Sequence, residues 1–245
     1  MMHYAILADI HSNLAALQAV LKDMENHGRI EEIWCLGDIV GYGPDPHECI
    51  ELLRHYSLIC IAGNHDWAAT GKIDTTYFNP QAAAACQWTA EHLTGEDRSY
   101  LENLPLTLQK GDFTLAHGSP REPIWEYVLS LSIARDNFPH FQTGYCLVGH
   151  THVPQVFRYS DDGKCSFNAF QPGVGLILGK DRLIINPGAV GQPRDNDPRA
   201  SYAIYESEGK TVRLYRVEYD IHLTQVRMTQ QKLPPYLISR LSHGI

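Results

Sequence analysis

The chain has 245 residues, of which 44% are hydrophobic and 20% are charged, so it can bury a sizeable core as one large domain or two small ones. Its formal net charge of −8 excludes an overall basic surface and argues against a nucleic-acid groove or an anionic membrane as the main partner. We expect no membrane span, because no apolar run approaches ~18 residues, and no signal peptide, because the N-terminus has no basic n-region and Asp9 interrupts its apolar run. The six cysteines form no C-x-x-C pair, which favours reduced thiols in a cytoplasmic protein.

The first half of the chain alternates buried strands with amphipathic helices. Strands are predicted in the segments HYAILAD, EEIWCLGD and SLICIAGN. Ser12 is the predicted N-cap of the first helix, and Asp45 that of the second, with Pro46 at its first position. This alternation predicts parallel pairing through right-handed crossovers. Two further helices are predicted between residues 80 and 104, followed by a hairpin around Lys110.

The second half is rich in short β-runs separated by Asp-Gly or Glu-Gly turns. The segments YCLVGHTHVP, QVFRYSDDGKCSF, RLIINPGAV, ASYAIYES and TVRLYRVEY predict a meander. The tail from about residue 220 is predicted to form two helices separated by Pro234 and Pro235. Because no repeat, linker or composition shift marks a boundary, we interpret residues 1–245 as a single domain with two sheets and helices outside them.

Candidate metal ligands follow five of the apolar strands. The carboxyl ends of parallel strands share one edge of a sheet, where ligands usually bind, so we expect these side chains to converge. The set contains carboxylates, imidazoles and one amide but no thiol, which suits Mn, Fe, Zn or Ni and argues against a structural zinc cluster. The seven residues are Asp9, His11, Asp38, Asn64, His117, His150 and His152.

Seven candidate ligands exceed what one tetrahedral ion needs and fit two divalent ions, for which we predict Mn²⁺, with Fe, Zn or Ni as alternatives. Two ions about 3.5–4 Å apart can generate a shared hydroxide and clamp a phosphoryl group for in-line attack. His65 is predicted to give the leaving oxygen its proton, oriented by Asp66. Each segment taken alone is better explained as a hydrogen-bonded turn, but five together favour a metal site.

The motifs DIH, GD, GNHD, HG and GHTH, in this order, resemble those of the calcineurin-like metallophosphoesterase superfamily. The chain length is similar to that of its small bacterial phosphodiesterase branch. This resemblance implies an α/β (α+β) fold, a four-layer αββα sandwich of two mixed β-sheets flanked by helices. It also implies a dinuclear metal site at the sheet edge.

The resemblance also implies a role for each candidate ligand. Asp38 would bridge the two metals, and His65, with Asp66 as its partner, would position the phosphate or protonate the leaving oxygen. One metal would be held by Asp9, His11 and His152, and the other by Asn64, His117 and His150. We interpret the two-residue spacing of His150 and His152 as the period of a strand, with Thr151 facing outward.

Two motifs of this chain differ from those of the superfamily's protein phosphatases and narrow the range of substrates that we expect. Protein phosphatases of this superfamily follow GD with Asp-Arg-Gly and end their third motif in Glu, whereas this chain has GDIVGYGPDP and GNHD. A phosphodiester or small phosphorylated metabolite is therefore favoured over a phosphoprotein. Arg194 and Arg121 are candidate substrate-binding residues, although both are equally well explained as solvated arginines in loops. The NPG turn before Arg194 is a candidate backbone nest for an anion.

The leading hypothesis is a two-metal phosphodiesterase or phosphatase acting on a small phosphorylated metabolite or nucleotide, with dinucleoside polyphosphates as an alternative substrate class. A non-catalytic metal-binding scaffold on the same fold is a competing hypothesis. A helical HD-type phosphohydrolase is disfavoured because His65 and Asp66 follow a strand. We expect neither a membrane partner nor a stable nucleic-acid partner, and the sequence is compatible with a homo-oligomer.

Overall fold

In a computed structural model that describes residues 2–245, the chain forms two mixed six-stranded sheets with helices outside them. The strands are β1 (His3–Leu7), β2 (Ile30–Cys35), β3 (Leu58–Cys60), β4 (Thr107–Lys110), β5 (Phe113–Ala116), β6 (Tyr145–Leu147), β7 (Pro154–Tyr159), β8 (Cys165–Ala169), β9 (Gly175–Ile177), β10 (Arg182–Pro187), β11 (Ala200–Glu206) and β12 (Thr211–Val217). The α-helices are α1 (Leu14–Met24), α2 (Pro46–Arg54), α3 (Asn64–Thr70), α4 (Pro80–His92), α5 (Gly95–Glu102), α6 (Leu131–Asn137), α7 (Ile221–Gln230) and α8 (Pro235–Ser239).

The predicted pairing of the first half is confirmed. The first sheet has the order β3-β2-β1-β11-β12-β9, and its strands β1, β2 and β3 are parallel. The second sheet has the order β4-β5-β6-β10-β7-β8, and β4 and β5 form the predicted antiparallel hairpin, with Lys110 opposite Phe113. Each sheet therefore combines parallel and antiparallel pairs, as predicted.

The prediction of a meander in the second half is wrong. Strands β9, β11 and β12 join the first sheet, whereas β6, β7, β8 and β10 join the second. Strands β5 and β6 are parallel and are connected through α6, a helix that the sequence analysis missed. The physical reason is that short apolar runs show where strands lie but not which neighbour they pair with.

The first helix begins one residue later than predicted. Its N-cap is Asn13, whose Oδ1 accepts a hydrogen bond from the backbone N–H of Ala16 at 3.2 Å. The preceding Ser12 has a left-handed φ of 52° and donates its backbone N–H to the carbonyl of Ile39 at 2.9 Å. Ser12 is thus tied to the loop after β2, which leaves the capping role to the next polar residue.

Three apolar clusters separate the layers. Alternation along β1 directs Ala5 and Leu7 toward α1 and α2, while Ile6 packs between the two sheets. On the far side of the second sheet, Ala134 and Phe138 pack in a third cluster. The order of layers is therefore helix, sheet, sheet, helix, which confirms the predicted four-layer sandwich.

The predicted break between the last two helices is confirmed, because α7 ends at Gln230 and α8 begins at Pro235. Both helices pack with α4 in a further apolar cluster that includes Tyr42, Met228 and Leu237. All six cysteines are free thiols. Between residues 2 and 245, no helix combines the length and apolar character needed to cross a membrane.

Candidate metal centre

Five loops converge where β1, β2, β3, β5 and β6 end, so that both sheets contribute to one buried centre. The candidate ligands, predicted at the edge of one sheet, lie instead between the ends of two packed sheets. All seven predicted ligands are brought together there, and none is more than 3% exposed: Asp9, His11, Asp38, Asn64, His117, His150 and His152.

The backbone at this centre is strained. Five of the seven candidate ligands have φ between 50° and 64°, namely Asp9, His11, Asp38, His150 and His152. Such values are uncommon for residues other than glycine and persist only where the surroundings enforce them. Here hydrogen bonds between neighbouring loops do so: Asp9 N–H donates to the Gly37 carbonyl at 3.1 Å and His11 N–H to the Asp38 carbonyl at 2.9 Å.

The spacing of His150 and His152 does not arise from strand periodicity, contrary to the prediction. Strand β6 ends at Leu147, and both histidines have left-handed φ values, 64° and 61°. Thr151 does not face outward: it is 5% exposed, and its Oγ1 accepts a hydrogen bond from Asn186 Nδ2 at 3.0 Å. A tight loop with two left-handed residues, rather than a pleated strand, brings both imidazoles to the centre.

Asp9, His11 and His152 form the first ligand group. The Nε2 atoms of His11 and His152 are 3.1 Å apart, and Asp9 Oδ1 lies 3.4 Å from His152 Nε2. The other ring nitrogen of each imidazole faces a backbone carbonyl. His11 Nδ1 lies 3.1 Å from the carbonyl oxygen of Val40, and His152 Nδ1 lies 2.6 Å from that of Gln192. With Nδ1–H donated in this way, both Nε2 atoms present lone pairs to each other, an arrangement that fits a cation between them.

His117, His150, Asn64 and Asp38 form the second ligand group. His117 Nε2 lies 3.1 Å from His150 Nδ1, 3.1 Å from Asn64 Oδ1 and 3.2 Å from Asp38 Oδ2. His117 Nδ1 faces the carbonyl of Leu36 at 2.8 Å. The donor set is again imidazole and oxygen, with the second nitrogen of His117 anchored on the backbone.

Asp38 connects the two groups. Its Oδ2 lies 3.2 Å from His117 Nε2 and 3.6 Å from His11 Nε2, while its Oδ1 accepts a hydrogen bond from the backbone N–H of His65 at 2.8 Å. Among the described residues this buried Oδ2 has no hydrogen-bond partner. A buried carboxylate oxygen without a donor costs free energy unless a cation meets it, so the residues present fit two divalent ions that share Asp38.

The electrostatics agree with this arrangement. Burial lowers the pKa of His11 and of His152, so both imidazoles are neutral, as metal ligands must be. Burial raises the pKa of Asp9 to about 7. Burial would also raise the pKa of Asp38, but the coulombic interaction with His117 holds it below its usual range. Asp38 in turn raises the pKa of His117 to about 10, so metal binding at the second group would displace a proton from His117. The negative charge of the centre is therefore concentrated on Asp38, the carboxylate common to both groups.

His65 lies beside the two groups, at the start of α3. Its ring is 4.8 Å from that of His11 and 4.2 Å from that of Tyr42, and it is close enough to His11 and Asp38 to form a third set of candidate ligands within 4.8 Å. Burial lowers the pKa of His65 to about 4. The imidazole is therefore neutral near pH 7 and carries one N–H.

The predicted pairing of Asp66 with His65 is wrong. Both carboxylate oxygens of Asp66 accept backbone N–H groups: Oδ2 from Asp38 at 2.8 Å and Gly63 at 2.9 Å, and Oδ1 from Val40 at 3.1 Å. Asp66 thereby fixes the loop that carries Asp38. The adjacency of His65 and Asp66 in the sequence gave no sign of this, because neighbouring helical residues point in different directions.

The partner of His65 is a cysteine on α4. Cys86 Sγ lies 3.2 Å from His65 Nδ1, and both side chains are buried. Burial also raises the pKa of the Cys86 thiol, so the thiol keeps its hydrogen and can donate it to Nδ1. This contact was not predicted, because 21 positions separate the two residues and no motif connects them.

Of the two candidate substrate-binding arginines, the structure brings Arg194 to the centre. Its backbone N–H donates to the His152 carbonyl at 3.2 Å, and its guanidinium lies 5.6 Å from the Tyr42 ring. Arg121 instead pairs with Glu126, and its backbone N–H donates to Asn137 Oδ1 at 3.1 Å. The interactions described for Arg121 thus stabilise its own loop and do not involve the ligand groups.

The interpretation of the NPG turn as an anion nest is wrong, because the backbone N–H groups at and after the turn already donate hydrogen bonds within the protein. Gly188 N–H donates to the side chain of Asn186 at 2.8 Å, Val190 N–H to the carbonyl of Ala8 at 3.0 Å and Gly191 N–H to that of Asp9 at 2.9 Å. Asn186 Nδ2 in turn donates to the Gly149 carbonyl at 2.6 Å. The turn supports the ligand loops after β1 and β6.

Two tyrosines at the centre were also missed as site residues. Tyr127 stacks on His150 with ring centroids 3.9 Å apart and an interplanar angle of 16°, and Tyr42 lies edge-on to His11 at 4.6 Å. Tyr42 stands four positions after Asp38, in the segment GDIVGYGPDP. Tyr127 is in an irregular segment without a motif, so no local signal marks it.

Comparison with known proteins agrees with this geometry. Residues 2–210 match the family described as the calcineurin-like phosphoesterase superfamily domain. The crystal structure of a metallophosphoesterase from Sphaerobacter thermophilus is 48% identical and has a TM-score of 0.90, covering 100% of this chain and 99% of that one. An uncharacterised protein of Methanocaldococcus jannaschii is 39% identical over 98% of this chain and 97% of its own length.

A more distant relative has a named activity. The symmetrical bis(5′-nucleosyl)-tetraphosphatase of Actinobacillus pleuropneumoniae is 26% identical, over 64% of this chain and 58% of its own length. The match to the family extends over most of the chain and includes all five ligand loops. The chain therefore belongs to the calcineurin-like phosphoesterase superfamily.

Proposed function

We propose that the protein is a two-metal phosphodiesterase or phosphatase that hydrolyses a phosphoester bond in a small phosphorylated metabolite or nucleotide. The observation that carries the proposal is the pair of buried ligand groups that share Asp38, whose Oδ2 is 3.2 Å from one group's His117 and 3.6 Å from the other group's His11. Dinucleoside polyphosphates are a second candidate substrate class, supported by the similarity to a bis(5′-nucleosyl)-tetraphosphatase.

Each proposed metal has its own ligands. When bound, two divalent cations supply Lewis-acid charge to phosphoryl oxygens and lower the pKa of a water molecule. We propose Mn²⁺ for both positions, with Fe, Zn or Ni as alternatives, because the ligands are imidazole and oxygen. Asp38 would be shared; Asp9, His11 and His152 would hold one ion, and Asn64, His117 and His150 the other.

His65 and Arg194 would act on the substrate phosphate. A neutral His65 has one N–H to donate, and the thiol of Cys86 facing Nδ1 at 3.2 Å leaves that N–H on Nε2. A pKa near 4 favours hydrogen bonding to a phosphoryl oxygen over full protonation of a leaving group, although the charge of a bound phosphate would raise that pKa. Arg194, whose guanidinium lies 5.6 Å from the Tyr42 ring that also contacts His65, supplies a positive charge near the centre.

The surroundings fit a small, soluble substrate. With a net charge of −8, the protein would repel extended nucleic acid unless a local basic surface compensated. We propose a small phosphorylated molecule as its main partner, in the cytoplasm, and a homo-oligomer is compatible with this proposal.

The proposal is tested by turnover of metal-loaded protein. Full-length protein reconstituted with Mn²⁺ should hydrolyse at least one of bis(p-nitrophenyl) phosphate, p-nitrophenyl phosphate and diadenosine tetraphosphate. His65→Ala should lower kcat by about 10²-fold or more, since it removes the ring N–H that would hydrogen-bond to the phosphoryl oxygen, with metal content by elemental analysis unchanged. His222→Ala, on the exposed face of α7, is the matched control and should leave kcat unchanged.

Two outcomes would contradict the proposal. Stoichiometric metal without turnover of any of the three substrates would instead support the scaffold hypothesis. Loss of metal in His65→Ala would show that this imidazole is a ligand, in keeping with its closeness to His11 and Asp38, and would remove its proposed role toward the phosphate.

A further inference from the structure

Aromatic rings extend from the metal centre to the protein surface along two paths. On one path the rings of His65 and Phe78 are 4.9 Å apart and those of Phe78 and Trp125 are 5.1 Å apart. Trp125 then lies 6.0 Å from the ring of Tyr77. On the other path Tyr127 stacks on His150. We call the four rings Tyr77, Phe78, Trp125 and Tyr127 the aromatic strip.

The outer rings of the strip are not needed for the core. Tyr77 is 81% exposed and Tyr127 is 43% exposed, so both present large aromatic surfaces to solvent. The strip comes from two segments, neither of which carries a candidate metal ligand. Tyr77 and Phe78 lie at the end of the 3-10 helix Thr75–Tyr77, and Trp125 and Tyr127 lie in the irregular segment before α6. Single exposed apolar residues are ordinary, but two exposed tyrosines that are each joined by ring contacts to a polar buried centre are typical of a ligand subsite.

We propose that the aromatic strip binds the nucleobase of a nucleotide substrate whose phosphate lies at the metal centre. The inference rests on the proposed function, because it names the substrate class of the same site. Both paths begin on imidazoles of that centre, so a group held on the strip is within reach of a phosphate held beside His65 and His150. A planar base can stack on such rings without a specific hydrogen-bond pattern, since every base has a π-face.

The composition of the strip favours a short nucleotide over other aromatic or apolar substrates. Lipid-like substituents would be matched by aliphatic side chains rather than by four aromatic rings. A long nucleic acid would need a basic groove along its backbone, and the chain carries a net charge of −8. Four rings provide room for one or two bases, as in a nucleoside phosphodiester or a dinucleotide.

Binding of two ligands that differ only in the base tests the proposal. AMP and ribose 5-phosphate share the sugar and the phosphate, so their affinities for the full-length Mn²⁺-loaded protein, measured by isothermal titration calorimetry, isolate the contribution of the base. We expect AMP to bind about ten-fold more tightly, in line with base–aromatic stacking. If either compound is turned over, the ratio of their kcat/KM values replaces the ratio of affinities.

Variants connect that preference to the strip. Tyr77→Ala removes an exposed ring with little effect on folding, and Trp125→Ala removes a half-buried one; both should reduce the preference for AMP, and Trp125→Phe should restore most of it. Tyr56→Ala is the control, because Tyr56 is 40% exposed and precedes β3, at the end of that strand remote from the centre.

The outcomes separate this inference from the proposed function. Equal affinities for AMP and ribose 5-phosphate, or a preference that survives both Tyr77→Ala and Trp125→Ala, would overturn the nucleobase subsite even if the protein hydrolyses phosphoesters. A preference for AMP that depends on these rings would support the subsite even if no substrate is turned over.

Discussion

At the scale of single residues, the imidazoles of the metal centre are fixed through the nitrogen that faces away from it. Three of them have Nδ1 within 3.1 Å of a backbone carbonyl: His11 at Val40, His117 at Leu36 and His152 at Gln192. Such anchoring selects the tautomer and orients Nε2 toward the centre. The sequence identifies the histidines but not these carbonyls, which belong to other loops.

Cys86 provides a test of residue-level positioning. Cys86→Ala removes the group that faces His65 Nδ1, a hydrogen bond of about 1 kcal/mol, and should lower kcat roughly five-fold with metal content unchanged. Cys86→Ser retains a donor and should keep most of the activity. The measurement is steady-state kinetics together with ¹⁵N NMR of the His65 tautomer, which a purely packing role of Cys86 would not alter.

A different result would exclude this role. If Cys86→Ser loses as much activity as Cys86→Ala while the tautomer of His65 stays the same in both, the thiol contributes only to packing between α4 and the loop after β3.

At the scale of elements, the loops after the strands pack so closely that one glycine has no room for a side chain. A Cβ on Gly63 would lie 2.0 Å from Asp38 Oδ1 and 2.4 Å from the backbone nitrogen of Asp38. The φ of Gly63 is −100°, which any residue can adopt. Space rather than conformation therefore requires glycine at this position.

Gly63→Ala should accordingly displace Asp38. We expect a loss of about 1–3 kcal/mol in the free energy of unfolding, as for other overpacked sites, and weaker Mn²⁺ binding. Gly95→Ala is the matched control, because a Cβ there meets nothing within 4 Å. Thermal unfolding and metal titration measure the two effects; unchanged metal affinity in Gly63→Ala would mean that Asp38 is not held in place by this contact.

Helices α2 and α5 are connected by a hydrogen bond with a defined pH dependence. His47 Nδ1 lies 2.9 Å from Asp97 Oδ2, and this bond raises the pKa of His47 above 6.5. Its contribution to stability is therefore complete below pH 6.5, while Asp97 is ionised, and is lost as the pH rises through the raised pKa. Because the imidazole is 44% exposed, the contribution is below about 1 kcal/mol.

The variant His47→Ala tests the direction of this pH dependence. It should lower the free energy of unfolding at pH 5.5 and have little effect at pH 9, as measured by denaturant unfolding. His140→Ala, an exposed histidine in a separate 3-10 helix, controls for the loss of an imidazole. A deficit of the same size at both pH values would show that packing, not the charge of His47, is responsible.

At the scale of the whole molecule, the candidate ligands connect the two sheets. Asp9, His11, Asp38 and Asn64 follow strands of the first sheet, whereas His117, His150 and His152 follow strands of the second. Each ligand group therefore takes residues from both sheets, so that bound metal would hold the two halves of the sandwich together at this end.

Metal binding should therefore stabilise the whole fold. At a free Mn²⁺ concentration 100 times the Kd, linkage predicts about 2.7 kcal/mol, which for a chain of this size raises Tm by about 5–10 °C. Calorimetry of chelator-treated protein before and after addition of Mn²⁺ measures the shift. Asp38→Asn should show little or none; a full shift in that variant would mean that Mn²⁺ stabilises the protein elsewhere.

The sequence by itself determined the strands that end in polar motifs, the parallel pairing among β1, β2 and β3, and the identity of all seven residues that converge on the centre. It could do so because apolar periodicity and residue chemistry are local properties of the chain. It could not determine the sheet that each late strand joins, the left-handed loop that carries His150 and His152, or the true partners of Asp66 and His65. These depend on contacts between distant segments, such as Asp66 with Val40 and His65 with Cys86, which only the packing of two sheets and their flanking helices brings together.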